Sequence, residues 1–304
     1  MDEKAQAALR KRYMAAVDSF VEKIKGDINI IAVIVCGSLA YDVIWEKSDI
    51  DMAIIVRDQR LTTYSYCIEE DGITINAGLI PRSDFKRSME RSIGGSLSSS
   101  YFAKGRIVYS TDDSLYDYFE DIRQIGPDDI ALTMFYSAGE LIGIADKCRK
   151  WLTVKNDPVY TQFFIVKAAE RIAEMLLCRE GEPASRQSIQ KALTIDPELM
   201  RLVYQDPLSR ALSREELEER IARIDRFLTD HLHIISKPVI EFMRDQEIKT
   251  ITMISKRFHI EGHYIIEVFD YLAEKGVIER VSQTIRITPK GRQNIEEIGY
   301  LYIP

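Results

Sequence analysis

Two aspartates one residue apart, Asp49 and Asp51, open the apolar run Ile50-Asp51-Met52-Ala53-Ile54-Ile55-Val56. Side chains alternate faces along a strand, so both carboxylates project from the same face. Neighbouring carboxylates repel each other, and a divalent cation relieves the conflict. Hard cations such as Mg2+ are usually held by one or two carboxylates together with substrate phosphates. Upstream, the run Ile31-Ala32-Val33-Ile34-Val35-Cys36 ends in Gly37-Ser38. Glycine lets backbone approach a phosphate with no Cβ in the way, and Ser38 adds a hydroxyl donor. The constellation predicts a site for a nucleoside triphosphate carried on Mg2+ or Mn2+. Asp49 and Asp51 are the metal ligands, and Gly37 and Ser38 sit at the phosphates.

Gly37, Ser38, a helix-length spacer, Asp49 and Asp51 fill, in order, the places of a known signature. The chain resembles the nucleotidyltransferase superfamily that includes DNA polymerase beta and the aminoglycoside nucleotidyltransferases. Ser48 extends the match to the common Ser-Asp-x-Asp form and joins the nucleotide-binding set. The resemblance implies an enzyme: an acceptor hydroxyl attacks the α-phosphorus of a nucleoside triphosphate, and pyrophosphate leaves. It also implies Mg2+ at the triphosphate and a helical domain after the sheet that directs a basic residue at the phosphates. Lys167 is the candidate for that residue, with Arg171 one turn on. Glu170 and Glu174 stand ready to pair with either.

The resemblance implies a third carboxylate on a later strand. In Ile73-Thr74-Ile75-Asn76-Ala77-Gly78-Leu79-Ile80 the apolar residues alternate inward, which leaves Asn76 at that place and in the catalytic set. An amide ligates weakly and cannot serve as a general base. Glu69, Glu70 and Asp71 lie just upstream and supply acids if the register differs. Asp42 stands where many relatives carry Gly. These departures support an alternative: a catalytically degenerate nucleotide-binding sensor or transcription regulator that signals through its C-terminal segment.

The 304 residues carry a net charge of −7, which argues against nonspecific coating of nucleic acid. The four cysteines are widely spaced and form no C-x-x-C pair. The charged N-terminus lacks a signal-peptide core, and no membrane span is expected, so a cytoplasmic location is the expectation.

The element pattern predicts an α+β fold. A mixed-sheet nucleotidyltransferase-like domain spans 1–125, an all-α helical bundle 126–236, and a winged helix-turn-helix 237–304. The first domain reads as a helix over 3–26 and strands at 28–36, 49–57, 73–80 and from Arg106. Gly94-Gly95-Ser96-Leu97-Ser98-Ser99-Ser100 reads as a loop, with a lid over the metal site as the sharper reading. The last segment reads as two helices, a hairpin within 277–288, and Pro289-Lys290-Gly291-Arg292. A helix that reads DNA needs Arg, Lys, Asn or Gln, but here it carries Glu267, Asp270 and Glu274. Packing or a homodimer fits this module better than DNA. The expected partners are a nucleoside triphosphate and an acceptor that the residues do not identify, a small molecule or a protein.

Overall fold

The computed structural model describes residues 3–304 apart from 41–43, 92–101, 103, 124, 186, 260–261 and 289. Two compact units result, Met1–Ile125 and Gly126–Pro304.

The first unit opens with helix α1, Glu3–Ile24. Its buried residues Tyr13, Ala16, Val17, Phe20 and Val21 recur at helical spacing and make one apolar stripe. Strands β1 (Ile30–Cys36), β2 (Ile50–Val56), β3 (Ser65–Glu70), β4 (Ile73–Pro81) and β5 (Arg106–Ser110) form one mixed sheet in the order β3-β4-β2-β1-β5. Strand β2 runs antiparallel to β1 and parallel to β4. Helix α2 is a single turn, Gly37–Ala40, between β1 and β2. The stripe of α1 covers one sheet face, meeting Val33, Val35, Ile50, Met52, Ile54 and Ile75. The opposite face carries Ala32, Ile34, Ala53 and Ile55, covered by Phe85 of α3 (Arg82–Arg91) and by Leu115 and Phe119 of α4 (Ser114–Arg123). Alternation thus buries the central strands on both sides, which is why they read as near-continuous apolar runs.

Strand β3 has no counterpart in the sequence reading. Its residues are mostly exposed, so its alternation is faint. The signal that marks it is Asp71-Gly72, both at positive φ (51° and 72°), which closes a tight hairpin between β3 and β4.

The second unit is built on α5 (Pro127–Thr153) and α6 (Pro158–Arg179). Asp157 caps α6 by accepting from the Tyr160 N–H at 2.9 Å. Around them lie α7 (Ser188–Ile195), α8 (Pro197–Met200), α9 (Asp206–Ser209) and α10 (Arg214–Asp230), with a π-helical turn at Arg201–Gln205. Next come α11 (Leu232–Ile235), α12 (Lys237–Phe242), the two-residue β6 (Lys249–Thr250), α13 (Ile251–Phe258), α14 (Gly262–Glu274), β7 (Glu279–Arg286) and β8 (Asn294–Leu301).

Two expectations change here. Residues 237–304 do not stand apart as a third unit but share one core with the helices. The Phe135 ring of α5 lies 4.9 Å from Phe258 and 6.2 Å from Phe269, and the Tyr136 hydroxyl donates to the Phe258 carbonyl at 2.5 Å. Apolar faces on α13 and α14 need cover, and α5 supplies it. The hairpin also moves: 279–286 is one strand, paired antiparallel with 294–301. Gly291, in the connection between the two strands, disfavours a ladder there.

Candidate functional site

Strand register assembles the site. Asp51 on β2 lies opposite Cys36 of β1 and opposite Asn76 of β4, and Asn76 lies opposite Cys67 of β3. Directly opposed residues share a face, so these four side chains form one row across the sheet. Asp49, two residues before Asp51, accepts a short hydrogen bond from the Asn76 amide. The Cys67 thiol donates to the Asn76 carbonyl oxygen at 3.2 Å. These two bonds fix the amide, with its N–H groups toward Asp49 and its oxygen toward Cys67. Asp49, Asp51, Asn76 and Ser38 are all half-buried.

Gly37 also makes room inside the site itself. Its φ is +60°, and a Cβ built there would lie 1.9 Å from Asp51 Oδ2. The residue makes room for the Asp51 carboxylate as well as for the turn. Asp51 therefore closes directly over the Gly37-Ser38 turn. Ser48 enters through its backbone: its N–H donates to the Trp45 carbonyl at 2.9 Å, and its own carbonyl accepts from the Tyr13 hydroxyl at 2.7 Å.

The upstream acids sort by face. Glu70 is buried on the α1 side, accepting from Lys23 at 2.7 Å and Ser19 at 2.6 Å. Those bonds hold its carboxyl below the usual range despite burial. Glu69 lies opposite Thr74, on the same face as Asn76, and is exposed. Asp71 is in the hairpin turn. Asp42 and the 94–100 loop lie outside the described residues. Among the described residues, no group of three His, Cys, Asp or Glu side chains is arranged to hold a metal ion. Position 76, in register beside Asp51, carries an amide in place of an acid.

Lys167 belongs to the second unit, so the sequence-predicted set is divided between two bodies. It lines a cleft of about 810 Å³ with Phe164, Glu140, Lys147, Arg171 and Glu267. Its ammonium lies 5.4 Å from the Phe163 ring centroid and 5.8 Å from that of Phe164, at cation–π distance. Arg171 is committed to three carboxylates, Glu174 at 2.8 Å and Glu140 and Glu170 at 3.5 Å. Glu174 is largely buried, and its carboxyl is pushed up to about 7 by desolvation, against the pull of Arg171.

The helix weighed for DNA reading, α14, buries Ile265, Val268, Phe269 and Leu272 in the core of the second unit. It leaves Glu267 and Glu274 exposed. Among the described residues no helix is long and apolar enough to cross a membrane.

Residues 19–114 match the family model described as polymerase beta, nucleotidyltransferase. The match spans the sheet and every site residue of the first unit. No curated protein matches the sequence. Among solved structures, the chain resembles a nucleotidyltransferase-like protein from Exiguobacterium sibiricum 255-15, at TM-score 0.69 and 15% identity, covering 95% of this chain and 99% of that one. A spectinomycin adenyltransferase, AAD(9), from Enterococcus faecialis, solved with ATP and spectinomycin, aligns at TM-score 0.33 and 12% identity over 71% of this chain and 99% of that one. The first of these likenesses shows that 95% of this chain shares the fold of that structure.

Proposed function

We propose that the first unit binds a magnesium–nucleoside triphosphate and transfers its nucleotidyl group to a hydroxyl acceptor. One observation carries the reading: the Asp51 carboxylate closes over the Gly37-Ser38 turn while Asn76, in register beside it, is bonded to Asp49. Two half-buried carboxylates on one face are a hard-oxygen donor set of the kind Mg2+ takes together with phosphate oxygens. Asp49 and Asp51 would hold the ion, which when bound neutralises phosphate charge and orients the triphosphate. The Gly37-Ser38 turn receives the phosphates, with Ser38 donating its hydroxyl, and Ser48 lies alongside. Asn76 orients Asp49 through its amide N–H groups. Asn76 takes up no proton, so the acceptor's proton leaves to water or to a group on the acceptor.

Titration calorimetry with nucleoside triphosphates, with and without Mg2+, tests this directly. Asp49→Ala should weaken Mg-dependent binding on the order of a hundredfold, the equivalent of about 3 kcal/mol. Unchanged affinity removes the proposal.

A second reading rests on Asn76 itself. With an amide where a proton acceptor would stand, the protein binds nucleotide and signals without turnover, through a winged-helix module at 237–304 used for packing. Pyrophosphate release across a panel of hydroxyl acceptors separates the two. Under the catalytic reading, wild type releases pyrophosphate with at least one acceptor and Asn76→Asp raises the rate. Tight Mg-dependent binding with no release from either protein supports the sensor.

A further inference from the structure

Tyr13 is 2% exposed, yet its hydroxyl faces three backbone carbonyls: Ser48 at 2.7 Å, Glu46 at 3.1 Å and Trp45 at 3.5 Å. A phenol donates one hydrogen, and the shortest contact marks where it goes. The Ser48 carbonyl belongs to the peptide plane that joins Ser48 to Asp49, so this bond pins the plane from which Asp49 projects. Seven residues earlier on the same helix, Gln6 grips the start of the segment from both sides. Its amide donates to the Ile44 carbonyl at 3.0 Å, and its oxygen accepts from the Ile44 N–H at 3.1 Å. The Ile44 side chain is 1% exposed, in the same core as Tyr13. Residues 44–48 have no ladder of their own, and α1 supplies the restraint that a strand neighbour would otherwise give. Asp49 is consequently held twice, at its backbone from α1 and at its carboxylate by Asn76.

We propose that Tyr13 and Gln6 are positioning residues that aim Asp49 from the opposite side of the sheet. The inference rests on reading Asp49 as a metal ligand. Neither side chain touches the metal or the nucleotide. Their effect passes through the 44–48 backbone.

Tyr13→Phe removes only the hydroxyl. In the full chain it should raise the Mg2+ midpoint for nucleotide binding on the order of tenfold, leaving affinity at saturating Mg2+ near wild type. In metal-free protein, amide exchange over 44–50 should quicken while β1 and the rest of β2 stay protected. Gln6→Ala, at a half-buried position, should act in the same direction and covers the case in which Tyr13→Phe fails to fold. In an Asp49→Ala background, Tyr13→Phe should cost no further affinity. An unchanged Mg2+ midpoint in folded Tyr13→Phe, unchanged exchange over 44–50, or full additivity with Asp49→Ala overturns the proposal. Wild-type protein that binds no nucleotide with Mg2+ overturns instead the underlying assignment of Asp49, and the exchange measurement still decides the clamp.

Discussion

Gly37→Ala should abolish Mg-dependent nucleotide binding, with affinity falling a hundredfold or more. Two costs combine at this position. A non-glycine residue at φ +60° is strained by about 1 kcal/mol. The added methyl also meets Asp51 Oδ2 at 1.9 Å, far inside van der Waals contact, with the Asp51 Cγ and Cβ at 2.8 and 2.9 Å. Either the carboxylate leaves its place in the row with Asn76, or the β1–α2 junction shifts. Both outcomes dismantle the site. The mechanism separates from general destabilisation in a double-mutant cycle read by denaturant unfolding. In an Asp51→Ala background the carboxylate is gone and only the Cβ contact at 2.9 Å remains, so the cost of Gly37→Ala should shrink towards its backbone part of about 1 kcal/mol while staying above it. An equal cost in both backgrounds would falsify the steric account.

Glu174→Gln should stabilise the second unit at pH 8 and leave it nearly unchanged at pH 4. Burial drives the Glu174 carboxyl from 4.5 to about 7, with Arg171 opposing and Glu170 and Glu140 adding to the rise. Ser137 donates weakly, at 3.4 Å. The folded unit keeps this proton to a higher pH than the unfolded chain does. The favourable contribution is therefore complete below about pH 4.5 and is lost as pH climbs through about 7. The side chain is 12% exposed, so solvent screening is small, and the loss amounts to about 3 kcal/mol. Glutamine imitates the neutral acid and does not titrate. The difference in thermal midpoint between variant and wild type should open to several degrees across this window. A difference that is flat with pH removes the assignment.

Much of the first unit was legible in the residues because its signals are local. Gly37-Ser38 and Asp49-x-Asp51 lie within one stretch, and a period of two along 50–56 and 73–80 fixed which side chains share a face. The same alternation singled out Asn76, and strand register sets it opposite Asp51. Strand β3 escaped notice because an exposed edge strand has no apolar rhythm, although Asp71-Gly72 marked its turn. The packing of 237–304 onto the helices before it was hidden for a related reason. Helical period shows that α13 and α14 have apolar faces, but not which surface covers them, and here the cover is α5.

By itself, then, the sequence determined most of the element types, the closeness of Asp49 and Asp51, and the amide at position 76, because short-range sterics and alternation settle these within a few residues. Only the tertiary structure decided that Gly37 clears space for Asp51, that Asn76 bonds Asp49, that Glu70 turns away to Lys23, and that Tyr13 grips the loop before Asp49. Each of these is a contact between segments separated by many residues. No local pattern encodes such a contact, because it depends on how strands register and how a helix seats on the sheet, and those follow from burying the whole core at once.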